Sequence, residues 1–312
     1  MSEPADAVVG GTVGVVGLGL MGQALATRLL AAGTRTAGYD IDPAKRSRLA
    51  ANGGQACESL AALFDVATDV VLCVFNAAQA RDVAQALPQR APGEGGESAR
   101  RLTVVCTSTC DPADMAALGR EVESRGHDFI EMPISGSSRQ FADGQAVGLV
   151  ACREAVNERR GDLMRAICRQ HPYLGPVFGD ASRAKLAINL VLGVNRAALA
   201  EGLAFAGALG LDPARFLEVL KGSAAYSQVM DVKGPLMLHR RFEPPQSRVD
   251  QSHKDFSLIV GLGEQVGLGL PFARRYRALM AECIDRGEAH LDNAIIIGAI
   301  ERQIPPTEKE AQ

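Results

Sequence analysis

The apolar positions of this chain fall into two regimes. Up to about residue 180, short apolar runs of strand length alternate with stretches of helical period, whereas beyond it only helical period remains. The first run, residues 13–16, reads as a buried strand. It is followed by Gly17, Gly19 and Gly22, and then by residues 23–32, which carry Leu25, Leu29 and Leu30 at helical spacing until Gly33 ends them. Further strand-length runs occupy residues 36–39, 70–75, 102–107, 128–134, 146–152 and 173–178, with helical stretches over 78–87, 112–125 and 154–170 between most of them. This order predicts an α/β fold, a doubly wound sheet with helices on both faces. The insertion RAPGEGGESARR reads as a flexible surface loop by composition.

From Ala181 the segment ASRAKLAINLVLGVNRAALAEGLAFAGALG reads as one helix over about residues 181–209, roughly 42 Å long at helical rise, stopped by Gly210 and Asp212-Pro213. The rest, to about Gln303, is helical with short turns. Two domains are expected: residues 1–179, and an all-helical one over 180–312. Along the long helix Leu186, Ile188, Leu190, Val191, Leu192, Val194, Leu199, Leu203, Phe205 and Leu209 spread around most of the circumference, interrupted by Lys185, Asn189, Asn195, Arg196 and Glu201. A surface helix would keep a polar face opposite its apolar one, so a second copy of the chain is expected to pack here, as a homodimer or homotetramer.

Composition narrows the function classes. A formal net charge of −3 argues against nucleic acid or an anionic membrane surface as the main partner. MSEPADAVVGG lacks the basic start and apolar run of a signal peptide, and a cytoplasmic location is expected. The seven cysteines show no C-x-x-C pair and lie in runs such as VVLCVF and LTVVC, which suits small core residues better than disulfides or metal ligands. The five histidines show no H-x-x-x-H spacing, so no metal site is expected.

Strand, G-x-G-x-x-G turn and helix is the arrangement that receives a dinucleotide pyrophosphate. The first glycine permits the reversal, the second admits the phosphates to the backbone, the third lets helix and strand close up, and the helix start offers free N–H groups. Gly17, Leu18, Gly19, Leu20, Met21 and Gly22 form this candidate cradle. The next strand ends in Asp40, near the offset at which a carboxylate accepts hydrogen bonds from the adenosine ribose and repels a 2′-phosphate. No Arg directly follows it, which favours NAD over NADP. Asp42, before Pro43, suits a helix cap better.

The segments VGVVGLGLMG, MPISGSSRQFADGQ, RAKLAINL and RVDQSHKDF, in this order, resemble the four signature regions of the β-hydroxyacid dehydrogenases, which include 3-hydroxyisobutyrate dehydrogenase, tartronate semialdehyde reductase and L-threonate dehydrogenase. The resemblance covers nearly the whole chain. It implies an N-terminal Rossmann domain, an all-helical second domain joined by the long helix, dimers or tetramers, and catalysis between the domains. Lys185 matches the family's catalytic lysine and Asn189 its asparagine partner. Four apart, the two share one helix face. Oxidising an alcohol by hydride loss needs a group to take the hydroxyl proton, and a lysine serves if desolvation lowers its pKa from about 10.4. Ile188 stands where the family often has a second asparagine.

By the same resemblance, Ser135 and the backbone N–H groups of Gly136 and Ser137 clamp the substrate carboxylate, although the family usually has Gly in place of Ser137 and a small residue in place of Phe141. Lys254 matches a lysine near nicotinamide and substrate. Asp255 follows it as in the family, Asp250 matches with a packing or capping role, and His253 is an added polar group. Phe75 and Asn76, then Thr107, Ser108 and Thr109, end strands beside the cradle, with Phe75 in place of the family's proline. The implied substrate is a small hydroxy acid. VFNAAQA is more like the threonate dehydrogenase branch, and Ser137 and His253 suit a polyhydroxy acid, so a sugar acid such as L-threonate or erythronate leads. 3-Hydroxyisobutyrate oxidation and semialdehyde reduction are alternatives. Imine reductases generally replace the lysine by Asp or Tyr, which argues against them. A non-catalytic dinucleotide-binding adaptor would have no reason to keep Lys185, Asn189, Ser135 and Lys254 together.

Overall fold

The computed structural model describes residues 9–90 and 101–303. Most of the insertion expected as a surface loop, and most of the N-terminal segment, lie outside the described residues. The strands are β1 (Thr12–Val16), β2 (Arg35–Tyr39), β3 (Gln55–Ala56), β4 (Asp69–Leu72), β5 (Thr103–Cys106), β6 (Asp128–Glu131), β7 (Ile134–Ser135), β8 (Val147–Gly148), β9 (Val150–Ala151) and β10 (Tyr173–Gly175). The helices among them are α1 (Leu20–Ala31), α2 (Pro43–Ala51), α3 (Leu60–Val66), α4 (Ala77–Gln85), α5 (Pro112–Ser124), α6 (Ser138–Ala142), α7 (Glu154–Arg159) and α8 (Gly161–Ile167). The long helix α9 (Asp180–Ala208) follows, then α10 (Pro213–Lys221), α11 (Val229–Leu238), α12 (Val249–Gln265), α13 (Pro271–Asp285) and α14 (Ile296–Glu301). The chain divides into two compact units, Met1–Lys185 and Leu186–Gln312.

The first unit is built on an eight-stranded sheet in the order β10-β9-β6-β5-β4-β1-β2-β3, parallel except where β9 meets β6. Its run from β3 to β6 is the 3-2-1-4-5-6 order of dinucleotide-binding sheets, with a switch point between β1 and β4. The near-continuous apolar strands follow from burial on both faces. Val13, Val15, Val71, Val105 and Ile130 pack into one core layer, and their chain neighbours Val16, Val70, Leu72, Val104 and Phe129 into the other.

Three runs expected as single elements are divided. The run 128–134 breaks into β6 and β7 around Pro133, which has no N–H to give to a ladder. The run 146–152 becomes β8, paired with β7 in a separate two-stranded sheet, and β9 in the main sheet, because Leu149 N–H turns to the Pro133 carbonyl between them. The helix expected over 154–170 breaks at Arg160 and Gly161 into α7 and α8. Gly161 is a poor helix former there, and the Arg160 guanidinium is engaged by the fully buried Asp69.

In the second unit α9 lays Leu186, Leu199, Ala200 and Leu203 into a helical core with Ile259 and Met280. The Phe256 and Tyr276 rings stack there with centroids 4.0 Å apart, and Gly193 lies so close that a Cβ would sit 2.3 Å from the Phe256 ring. The apolar circumference read from the sequence is therefore only partly internal. Ile188, Val191, Phe205 and Leu209 remain 39%, 59%, 64% and 62% exposed. Among the described residues, Asp180–Ala208 is the one helix long and apolar enough to cross a membrane by length and composition.

A buried ion pair ties this unit together across 59 residues. Lys233 Nζ lies 2.7 and 2.9 Å from the two Asp292 oxygens, which also accept from the backbone N–H groups of Gln246, Ser247 and Ala294. Burial opposes the charge on Asp292, yet the Lys233 ammonium and these N–H groups hold its carboxyl below the usual carboxylate range. Asp292→Ala leaves a buried ammonium uncompensated. It is expected to destabilise the protein by about 3–5 kcal/mol in urea unfolding, and Lys233→Met/Asp292→Ala to lose less than the single variant.

Candidate active site

The turn after β1 shows a separate reason for each of its glycines. Gly17 has φ +88°, and a Cβ there would stand 2.6 Å from the Cys73 carbonyl oxygen. A Cβ on Gly22 would stand 1.9 Å from the Gly17 carbonyl oxygen, which leaves no side chain room between α1 and the turn. At Gly19 a Cβ would meet nothing within 4 Å, so the backbone there faces open space. Gly19 is also the N-cap of α1 and brings no side chain to the first-turn N–H groups, and that turn holds no acidic residue. Uncapped N–H groups at an open glycine fit a pyrophosphate. Leu20, the first residue of α1, is 40% exposed.

Asp40 at the end of β2 is buried, and its carboxylate is built into the turn. Oδ2 accepts from Leu18 N–H at 2.7 Å, and Oδ1 from Asp42 N–H at 2.9 Å. Although no Arg directly follows Asp40 in sequence, α2 brings basic groups to it. Lys45 Nζ lies 3.5 Å from Oδ1, and Arg46 donates to the Asp40 carbonyl at 2.7 Å while paired with Glu58 at 2.7 Å.

The neighbouring loops are braced in the same way. The hydroxyls of Thr107 and Ser108 donate to the carbonyls of Leu72 and Val74 at 2.8 and 2.6 Å, joining the end of β5 to that of β4. Asn76 caps α4 by accepting from Gln79 N–H, and the Gln79 side chain accepts from Phe75 N–H. Phe75 itself is 42% exposed.

At the end of β7, Ser135 leads into Gly136, whose φ of +149° and whose close approach to Ala146 both demand glycine. One group of the expected carboxylate clamp is engaged within the turn itself. Ser137 forms a capping box with Gln140, its N–H donating to Gln140 Oε1 at 2.9 Å and its hydroxyl oxygen accepting from Gln140 N–H. The Ser137 N–H is thus bonded within its own turn. Phe141 does not shape this turn from outside: it is fully buried, under the Arg28 guanidinium at 5.8 Å.

Lys185 lies in the second turn of α9 and is 4% exposed. The start of that helix is held by Glu131, the last residue of β6, whose two oxygens accept from Gly179 N–H at 2.5 Å and Ser182 N–H at 2.6 Å. Burial pushes the Glu131 carboxyl above the usual carboxylate range, while the Ser182 and Gly179 hydrogen bonds draw it back down.

Further along α9, in the second unit, the buried Asn189 donates from Nδ2 to Asp255 Oδ2 at 3.0 Å. Lys254 Nζ lies 2.9 Å from Asp255 Oδ1. Asp255 therefore joins Asn189 to Lys254, a role with no sequence signal beyond its place after the lysine. Asp250 pairs with Arg248 at the start of α12. At His253, burial, with the Arg277 charge of α13, holds the ring below the usual imidazole range, and Asp285 of α13 opposes them.

Known proteins resemble the chain across both units. The family profile described as the NAD binding domain of 6-phosphogluconate dehydrogenase matches residues 12–175, and that of NADP-dependent 3-hydroxyisobutyrate dehydrogenase matches residues 179–300. The chain is 27% identical to 2-hydroxy-3-oxopropionate reductase of Escherichia coli over 93% of its length and 97% of that protein. It is 28% identical to L-threonate dehydrogenase of Cupriavidus necator over 91% of its length and 94% of that protein. A solved structure of 3-hydroxyisobutyrate dehydrogenase from Salmonella typhimurium superposes with a TM-score of 0.81 at 25% identity, covering 92% of this chain and 99% of that one. The two profiles together span both units, and the chain belongs to the β-hydroxyacid dehydrogenase family of NAD(P)-binding oxidoreductases, of the 3-hydroxyisobutyrate dehydrogenase type.

Proposed function

We propose that this protein is an NAD-preferring dehydrogenase of a small hydroxy acid, with a sugar acid such as L-threonate or erythronate as its leading substrate. The observation that carries the reading is the burial of Lys185 on the same helix as Asn189. Burying an ammonium costs several kcal/mol unless it is paired or hydrogen-bonded, and Lys185 is buried at the position that matches the family's catalytic lysine. Lys185 then takes the proton of the substrate hydroxyl during oxidation and returns it in reduction. Bound nicotinamide supplies the hydride acceptor. Gly136 N–H and the Ser135 hydroxyl hold the carboxylate, and Asp255 fixes the Asn189 amide and the Lys254 ammonium in orientation.

The sugar-acid assignment is supported by VFNAAQA and by the similarity to L-threonate dehydrogenase. 3-Hydroxyisobutyrate is the second candidate, on the likeness to the Salmonella typhimurium structure. The NAD preference rests on the buried Asp40 carboxylate and on the pairing of Arg46 with Glu58, which leaves that guanidinium engaged.

Lys185→Ala is expected to lower kcat by at least about 100-fold with little change in cofactor affinity, measured by nicotinamide absorbance against a panel of hydroxy acids. Near wild-type turnover would remove Lys185 from the chemistry, and no turnover of the wild type with any hydroxy acid would favour the adaptor reading. The kcat/KM with NAD should exceed that with NADP by more than about tenfold, and equal values would mean that Asp40 does not face the ribose. For assembly, we propose a homodimer, or a tetramer built from it, that covers Ile188, Val191, Phe205 and Leu209. Light scattering is expected to give at least twice the 32.9 kDa of one chain, and a mass near one chain would overturn the proposal.

A further inference from the structure

We infer that Glu131 is a positioning residue for the reaction, coupling the substrate clamp to Lys185 through the start of α9. The inference rests on the assignment of Lys185 as the proton-handling group. All the groups concerned lie in the first unit. Glu131 ends β6 with none of its surface exposed, and each of its two oxygens accepts from a backbone N–H at the start of α9. Those donors, Gly179 and Ser182, lie at the N-cap and third residue of α9, where a helix leaves its N–H groups without internal partners. Charge-assisted bonds to such groups are short and about twice as strong as neutral ones.

The geometry around these bonds leaves the joint little freedom. Gly179 has φ +101°, and a Cβ there would stand 2.7 Å from the Pro112 carbonyl oxygen, so the chain enters α9 along one path. Ser182 is fully buried. Three residues on, and therefore on the same face of the helix, stands Lys185. Four residues after Glu131, past the break at Pro133, stands Ser135 at the end of β7, followed by Gly136. One carboxylate thus ties the end of β6, just before the break that leads to the clamp, to the first turn of α9, which runs on into the lysine. A shift of about 1 Å between such groups is enough to cost up to 100-fold in rate.

Glu131→Gln keeps one acceptor and sets an NH2 against the other backbone N–H. The folded variant is expected to lose about 10- to 100-fold in kcat, with NAD affinity and substrate KM within a few fold of wild type. A cap that serves stability alone would lower the melting temperature and leave kcat unchanged. The decisive comparison is in the Lys185→Ala background, where Glu131→Gln should bring no further loss of kcat; a full additional loss would mean that Glu131 does not act through the lysine. Glu131→Asp keeps the charge but falls one methylene short, and is expected to lie between wild type and Glu131→Gln in kcat. It also serves as the test variant if Glu131→Gln does not fold. Wild-type kcat in either folded variant overturns the inference while leaving the assignment of Lys185 standing. Wild-type turnover in Lys185→Ala removes both.

Discussion

The constraint on which the first unit depends is the closeness of α1 to the turn that precedes it. A Cβ at Gly22 would stand 1.9 Å from the Gly17 carbonyl oxygen, so only glycine lets the helix start there. That approach aims the first-turn N–H groups at the end of β1, beside the switch point of the sheet. The same turn brings Gly17 against the Cys73 carbonyl, which sets the loop after β4 alongside. Gly19, with nothing near its missing side chain, is left as the open member of the three.

Around this turn the polar side chains are spent on the protein itself. Asp40 accepts from Leu18 N–H, Thr107 and Ser108 donate to carbonyls of the neighbouring loop, Asn76 caps α4, and Ser137 caps α6. Buried polar groups left unpaired would cost about 1–3 kcal/mol each, so these bonds hold the loops in place. Phe75 is half exposed, and its N–H donates to the Gln79 side chain, a bond that a proline at this position could not make.

The helix α9 carries three demands at once. Its start is anchored by Glu131, its inner face builds the second unit with Leu199 and Leu203, and its remaining apolar residues stay exposed on a single chain. Lys185 and Asn189 occupy the stretch where the first demand gives way to the second. A residue there is constrained by its neighbours on the helix as much as by the chemistry it serves.

Apart from the short elements β3, α2, α3 and α6, the sequence by itself determined the alternation of strands and helices in the first unit, the helical character of the described residues after 180, the glycine turn and the family. Each of these is a local pattern: period, glycine spacing, or an ordered set of motifs. What it could not carry were pairings between distant residues. The 66 residues between Asn189 and Asp255, and the 48 between Glu131 and Gly179, hold no spacing rule that announces a hydrogen bond. The division of the run 128–134 at Pro133 was legible in principle, but the destinations of β8 and β9 in two different sheets were decided by hydrogen bonds to other strands. His253, Phe141 and Ser137 show the same limit. Whether a polar or aromatic group meets substrate, core or a neighbouring backbone depends on what the fold packs against it, and only the tertiary structure decided that Phe141 belongs to the core, that burial and charges of α13 act on His253, and that Ser137 spends its N–H on a helix cap.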